Sequence, residues 1–482
     1  IGDLRMRIKK DENRPLLLIV TTVLLVMLIS FIPEDFTIGG YTFKPIDLFI
    51  DIKPDSIFYS SAPIEENSNS DESKYQVLQA SADYKQLFAS LENYAGLLNN
   101  STLNYSLMEP GKKVPLSGNV RQMKYFFDAL KNTKTQKVRV ADYGDSGNEG
   151  DFGTADIRTI FQKQFGGHGV GFMNITAQDI SFRMTTKHSF SDNWNTYSAL
   201  GGKNRDVPFG INGFVSVPEN GGAWVKYEAQ PISQSSKSFT LAKLFYANAK
   251  KSTIRYSFDN GKEETVALNP GKGVQELLLD AGREVKTLKI TATAAGQAHF
   301  FGVSLESGNG VYVDNFAWRG NTGISFKDIP ENYKKDFDRL LNYKLIILTF
   351  GANMLAAGNV NFNSYRSQMT DVIKELQSSF PSTSILLVGL GDKVIKHGSR
   401  FVTSPDALKM IETQKKIAED TGVTFWDKFE AMGGMNSMVE WVNHHPPYAS
   451  KDYGHLTYDG AKYLGEMISD VLINANEQSK NN

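Results

Sequence analysis

The chain has 482 residues, and its 52 lysines and arginines nearly balance 53 aspartates and glutamates to leave a formal charge of −1, so nothing points to nucleic acid as a partner. It has no cysteine, which excludes disulfides, thiolate zinc sites, iron–sulfur clusters and a cysteine nucleophile. The length exceeds one ordinary domain and predicts two or three folding units.

Residues 16–32 form an apolar run interrupted only by Thr21, Thr22 and Ser30. At about 1.5 Å per residue, a helix of that length just crosses a bilayer core. Arg5, Arg7, Lys9, Lys10 and Arg14 precede the run, and Pro33, Glu34 and Asp35 follow it. The positive-inside rule then makes 1–14 a cytoplasmic tail and 15–33 a transmembrane anchor, with everything beyond Pro33 outside the cytoplasm. No small-x-small cleavage pattern directly follows, which favours an uncleaved anchor over a signal peptide. Residues 34–74 read as a linker ending in the polar stretch 60–73, whose composition cannot support a packed core.

A helical pattern resumes near Tyr75, and in 120–131 the residues Met123, Phe126, Phe127 and Leu130 form one apolar helix face. Residues 137–143 alternate like a strand and run into Gly144-Asp145-Ser146, with a helix-spaced segment at 154–165. Ser146 is thereby placed between a strand's C-terminal end and a helix N-terminus. Open α/β sheets collect ligands there, and backbone N–H groups face developing negative charge. An ordinary serine turn or helix cap would use the same residues.

From 181 to 307 short β-rich runs at 213–217, 223–227, 239–246, 252–258, 285–293 and 300–305 are separated by turn signals such as Asp259-Asn260-Gly261. Such spacing indicates an antiparallel sandwich inserted into the first domain. Trp194, Trp224 and Tyr227 could grip sugar rings if exposed or fill its core if not. Beyond the insertion, apolar strands at 344–350, 384–390 and 423–426 alternate with helical stretches at 365–378 and 405–421. That texture predicts a parallel sheet covered on both faces, with Gly144, Gly320 and Gly351 on the same edge.

Gly144-Asp145-Ser146, the glycine of 319–323, Gly351-Ala352-Asn353 and Asp452-Tyr453-Gly454-His455 occur in that order. The pattern resembles the SGNH, or GDSL-like, hydrolases, over most of the chain beyond residue 115. It is more closely similar to the envelope branch that includes peptidoglycan O-acetylesterases, in which a carbohydrate-binding-like β domain interrupts the catalytic domain after the first block. The resemblance implies an α/β fold with a flavodoxin-like three-layer parallel sheet, built from 75–180 and 308–482 around an inserted sandwich at 181–307, behind one N-terminal transmembrane helix. Two segments depart from the pattern: Met354 stands where an Asp often follows the Asn, and 392–400 is individual to this chain.

The residue chemistry assigns roles without the family name. Ser146 would attack an ester carbonyl, His455 would take its proton, and Asp452 would fix the ring's tautomer and stabilise the cation. The backbone N–H groups of Ser146 and Gly320 and the side-chain amide of Asn353 would form the oxyanion hole. No cofactor and no metal is implied, since the adjacent His444 and His445 precede two prolines and make a poor ligand pair. His168 reads as a turn residue near the first block, Glu149 as either pocket lining or solvent-facing, and Met432, Met435 and Met438 as packing beneath the site.

The leading expectation is a serine esterase of the bacterial inner membrane, single-pass with its catalytic domain in the periplasm, that removes O-acetyl groups from peptidoglycan or another envelope glycan. Its expected partners are an acetylated glycan, the membrane and envelope proteins. An O-acetyltransferase or lipid esterase would use the same residues, and a catalytically silent envelope-binding or assembly protein would use the β domain alone.

Overall fold

The computed structural model describes residues 37–38, 41–42 and 113–480, apart from 182, 202–206, 234–235, 294–297, 357, 359 and 399. The expected tail and anchor, 1–33, and most of the linker therefore lie outside the described residues. Among those described, no helix is long and apolar enough to cross a membrane. The chain divides into two units, Ile1–Gln86 and Leu87–Asn482. In the first, β1 (Thr37–Ile38) and β2 (Tyr41–Thr42) pair antiparallel.

The second unit opens with β3 (Ser117–Gly118), α1 (Lys124–Leu130), β4 (Lys137–Gly144) and α2 (Thr154–Phe165). A β-rich stretch follows: β5 (His168–Met173), β6 (Thr186–Phe190), β7 (Trp194–Ser198), β8 (Phe214–Pro218), β9 (Trp224–Ala229) and β10 (Phe239–Ala247). It continues through β11 (Thr253–Phe258), β12 (Glu264–Ala267), β13 (Gln275–Val285), β14 (Thr287–Ala292) and β15 (His299–Ser307). The α/β texture then returns with β16 (Gly310–Ala317), α3 (Glu331–Leu341), β17 (Tyr343–Thr349), α4 (Ala352–Ala356), α5 (Phe362–Ser379) and β18 (Ser384–Val388). A hairpin of β19 (Val394–His397) and β20 (Arg400–Thr403) leads to α6 (Pro405–Thr421), β21 (Thr424–Trp426), α7 (Lys428–Met432), α8 (Ser437–Asn443) and α9 (Tyr458–Ser479).

One sheet runs β16-β4-β17-β18-β21, all parallel, with β3 antiparallel at its end. Ranked by chain position the parallel strands read 2-1-3-4-5, the flavodoxin-like order. Side chains alternate across it: Leu345 and Ile347 of β17 join the core with Phe126, Phe161 and Ile468 of α1, α2 and α9. Ile346 and Leu348 point the other way, toward Phe337, Ile373 and Met410 of α3, α5 and α6. Each such buried side chain contributes roughly 1.5–3 kcal/mol, so both helix layers are fixed by the strand pattern. α6 illustrates the helical side of the fit. Pro405 occupies its first turn, Gly422 ends it in the left-handed region, and Ala407, Met410, Ile411, Gln414 and Ile417 make its buried stripe.

Two antiparallel sheets fill the chain between α2 and β16. One is ordered β13-β10-β15-β8-β7, with β5 also against β15; the other is β12-β11-β14-β9-β6. Their facing sides share a core that includes Val225, Leu244, Ile254, Leu288 and Val303. The β-texture read from sequence begins at 181, whereas β5 already pairs with β15, Val303 opposite Met173 and Ser307 opposite His168. Glycine spacing hid this strand. A Cβ on Gly171 would stand 2.1 Å from Asp314 Oδ1, and without one the Phe172 N–H reaches that oxygen at 2.8 Å.

Asp314 belongs to a buried charge network that joins the parallel sheet to the antiparallel one. Arg139 of β4 pairs with Asp314 of β16 at 3.0 Å and with Glu306 of β15, Lys137 reaches Glu306 at 2.5 Å, and the Tyr343 hydroxyl donates to Asp314 at 2.7 Å. Apolar contact continues across the same boundary: Phe172, Phe245 and Phe301 share one core with Phe316, Tyr333 and Phe337.

Candidate active site

β4, β16 and β17 all end on one edge of the parallel sheet, and each end carries one of the short motifs. Directly after β4, Ser146 opens a short 3-10 turn whose N-cap is Asp145, the Asp145 Oδ1 accepting from Gly147 N–H at 2.9 Å. Asn148 folds back over β4, so that a Cβ on Gly144 would stand 2.5 Å from its Oδ1. Below this turn Asp142 accepts from Thr154 Oγ1 at 2.6 Å and from Asn148 Nδ2 at 3.3 Å. Burial pushes the Asp142 carboxyl up to about 6 against those two donors.

The loop before α9 supplies the imidazole. Ser146 Oγ lies 3.2 Å from His455 Nε2, and His455 Nδ1 lies 2.6 Å from Asp452 Oδ2. Because the carboxylate can only accept, Nδ1 carries the proton and Nε2 is left to receive the serine hydroxyl's. The second oxygen, Oδ1, accepts from the N–H groups of Gly454 and His455 at 3.0 and 3.1 Å, which fixes the carboxylate against its own turn. Burial raises the Asp452 carboxyl, but the His455 ring and those two amides outweigh it and hold the group at about 2. The hydrogen bond to Asp452 raises the His455 imidazole, against the opposing effect of its partial burial.

Asn353 follows β17 at the start of α4, where Gln414 of α6 ties the strand ends together. Its Nε2 donates to Phe350 O at 2.8 Å and its Oε1 accepts from Leu390 N–H at 2.7 Å. Asn353 Nδ2 donates to Asp145 Oδ2 and to Asn321 O, both at 3.1 Å. Its amide is thus aimed at the serine turn, but to serve an oxyanion it must exchange one of these acceptors. Gly320 lies exposed after β16, next to the buried Asn321. The structure therefore brings Ser146, His455 and Asp452 into hydrogen-bonded sequence and puts Asn353 and Gly320 on the adjoining strand ends.

No protein-family model and no curated protein matches the chain. Among solved structures, a peptidoglycan O-acetylesterase superposes with a TM-score of 0.62 at 22% identity, covering 75% of this chain and 99% of its own. The chain shares the fold of that structure. A family two carbohydrate esterase from Cellvibrio japonicus aligns at a TM-score of 0.25 and 11% identity, over 61% of this chain and 98% of its own. A salicylyl-acyltransferase from a tetracycline biosynthetic pathway aligns at 0.26 and 13%, over 58% and 96%. The fold rests on the first of these alone.

Of the other residues singled out in the sequence, His168 and Met435 stand elsewhere than expected. His168 is no turn residue of the serine block but the first residue of β5, its Nε2 3.0 Å from Ser238 Oγ. Glu149 does line a cavity, and its carboxylate pairs with Arg319 at 2.6 Å. Met432 and Met438 are buried, whereas Met435 is 50% exposed. Tyr227 is fully buried, with its hydroxyl donating to Asn174 O at 2.7 Å, and Trp194 donates to Trp224 O at 3.0 Å. His444 stacks on Tyr448 with ring centroids 3.9 Å apart, and its Nδ1 lies 2.7 Å from Pro446 O. Asp145 had no role in the sequence reading beyond its motif. Its two oxygens in fact link the serine turn to Asn353.

Proposed function

We propose that this chain is a serine esterase that removes O-acetyl groups from a cell-envelope carbohydrate, peptidoglycan or another glycan. The observation that carries the reading is the hydrogen-bonded sequence Ser146, His455, Asp452, with contacts of 3.2 and 2.6 Å at a sheet edge open to solvent. In it His455 takes the Ser146 proton as the oxygen attacks the acetyl carbonyl, and Asp452 stabilises the imidazolium. The tetrahedral oxyanion is received by N–H groups of Ser146, Gly320 and Asn353. His455 then returns the proton to the departing sugar hydroxyl, and water, deprotonated by the same ring, releases acetate from Ser146. The shared fold with a peptidoglycan O-acetylesterase supports an acetylated glycan as the substrate. The basic flank and apolar run of 5–32 support a tether that holds the site outside the cytoplasm, beside an immobile polymer.

The test is acetate release from p-nitrophenyl acetate and from an O-acetylated glycan by the full chain and by Ser146→Ala. A loss of about 10⁴-fold or more in kcat is expected for the variant. Acetate release that survives the substitution would move the chemistry to other residues.

A further inference from the structure

A cavity of about 510 Å³ opens beside the serine turn, walled by the antiparallel sheets on one side and the end of β16 on the other. That volume lies within the range of ligand sites. Glu149, three residues after Ser146, and Arg319, next to Gly320, form its boundary with the catalytic edge. Phe190, Trp194 and Phe214 supply apolar wall.

The polar atoms of this wall are unbalanced. Arg183 lines the cavity, and its Nε and Nη2 are buried without a hydrogen-bond partner; the Nε1 of Trp318, another lining residue, is buried and unpartnered as well. The nearest carboxylate is already committed. Asp151 takes both Arg158 nitrogens at 2.7 and 2.8 Å and Thr185 Oγ1 at 2.7 Å, which leaves Arg183 Nη2 at 3.3 Å without hydrogen-bond geometry. Two guanidinium groups therefore share one carboxylate, and the second, in a lining residue of the cavity, keeps donors to spare. Burial holds the Arg183 guanidinium below its ordinary value, with Asp151 acting against that effect. The acids of the same wall do not meet this demand: Glu149 is paired with Arg319, Asp179 Oδ1 accepts from Ser181 N–H and Oγ, and Asp192 is exposed. A guanidinium with unpartnered nitrogens in the lining of a cavity that also holds an unpartnered indole N–H calls for a planar anionic acceptor, which a guanidinium fork binds in preference to a neutral hydroxyl.

We propose that this cavity is a carboxylate-binding subsite, in which Arg183 and Trp318 receive a carboxylate carried by the polymer next to its acetylated sugar. Where the ester lies relative to it rests on the esterase reading; the subsite itself does not. The carboxylate has two possible sources, a uronic acid ring or a peptide attached to the glycan.

Titration calorimetry on the full chain separates them with probes that carry no acetyl ester: galacturonic acid trisaccharide, the neutral trisaccharide made by reducing its carboxyls, and N-acetylmuramoyl tetrapeptide. One of the two charged probes should bind at least tenfold more tightly than the neutral one. Arg183→Gln should abolish that preference, and Trp318→Phe, which keeps the ring, should weaken it several-fold. Hydrolysis of p-nitrophenyl acetate should be unchanged in both variants, which also reports that they fold. Equal binding of neutral and charged probes by the unaltered protein, or binding of none, would overturn the proposal without touching the esterase reading. Retention of the charged preference in Arg183→Gln would overturn it as well.

Discussion

Phe401 stacks on Tyr453, ring centroids 4.0 Å apart and planes 21° from parallel. Tyr453 lies between Asp452 and His455 with φ 54°, in the left-handed region, so its loop is bent tightly at that point. Phe401 projects from the β19–β20 hairpin, whose Val394 packs with Tyr453 against the same small core of Met432, Met438 and Trp441. His455 and Asp452 are about half exposed, and this stack braces their turn from outside it. An aromatic pair of this kind is worth about 0.5–1.5 kcal/mol. Phe401→Ala should therefore lower kcat about 2- to 10-fold with little change in KM for a small ester, and Phe401→Tyr should restore it. A change confined to KM would assign Phe401 to substrate contact instead.

The acid limb of the pH profile should belong to His455. As general base the ring must be neutral in the free enzyme, and Asp452 raises its affinity for the proton, so the limb in kcat/KM lies above the ordinary histidine value. Asp452→Asn removes that support. The limb should move to lower pH while kcat falls by roughly 10²–10⁴. A limb that stays in place in the variant would show that another group controls it.

Asn353→Ala should cost about 10²–10³ in kcat, the usual effect of losing one oxyanion donor. Because the Asn353 amide also holds Asp145 Oδ2 and Asn321 O at 3.1 Å, part of the loss would reflect a loosened serine turn. Asn353→Asp loses the oxyanion donor and both of those hydrogen bonds, as alanine does. It keeps the size but replaces the donor with a charge beside Asp145, and it should be worse than alanine. Equal activity in both variants would contradict the close approach of this side chain to the Asp145 carboxylate.

Much of this site was readable in the sequence because each part is a local device. Gly144-Asp145-Ser146 is a strand-to-turn signal and Asp452-x-x-His455 is a single turn, so short spacing encodes the geometry although 309 positions separate Ser146 from His455. The apolar runs that became β17 and β18 and the period of α6 were equally plain. What depends on partners far along the chain was not. β5 reads as a glycine-rich loop until β15 lies beside it, and Phe401 finds Tyr453 through a hairpin that has no motif. Arg183 stands in a polar stretch, and only the burial of its unpaired nitrogens marks it out.

Asp142 makes the stability of the fold depend on pH. Burial raises its carboxyl to about 6, above the unfolded value near 3.9, so the folded chain binds the extra proton between those limits. Stability contributed by this group is full below about 3.9, declines as pH rises, and is gone above about 6. The difference is on the order of 3 kcal/mol. Urea unfolding at pH 4.0 and 7.0 should show the decline in the unaltered protein and less of it in Asp142→Asn. Parallel curves for the two proteins would contradict the assignment.

Arg139 is 2% exposed and neutralises two carboxylates, Asp314 and Glu306, that are fully buried. The Glu306 carboxyl, raised by burial, is brought down to about 2 chiefly by Arg139, with Lys137 and Lys243 adding to it. Replacing the guanidinium with an apolar chain leaves these charges in the core, and breaking a buried pair in this way typically costs about 3–5 kcal/mol. Arg139→Met should therefore lower the unfolding midpoint. The loss should centre where β4 and β16 meet β5 and β15, because Asp314 holds the Phe172 N–H and the Tyr343 hydroxyl as well as the arginine. Amide exchange should show it as lost protection at Phe172 before the parallel sheet opens. The triple change Arg139→Met, Asp314→Asn, Glu306→Gln, which leaves no unpaired charge, should recover a large part of the stability. If it is no better than Arg139→Met, the cost lies in lost packing and not in stranded charge.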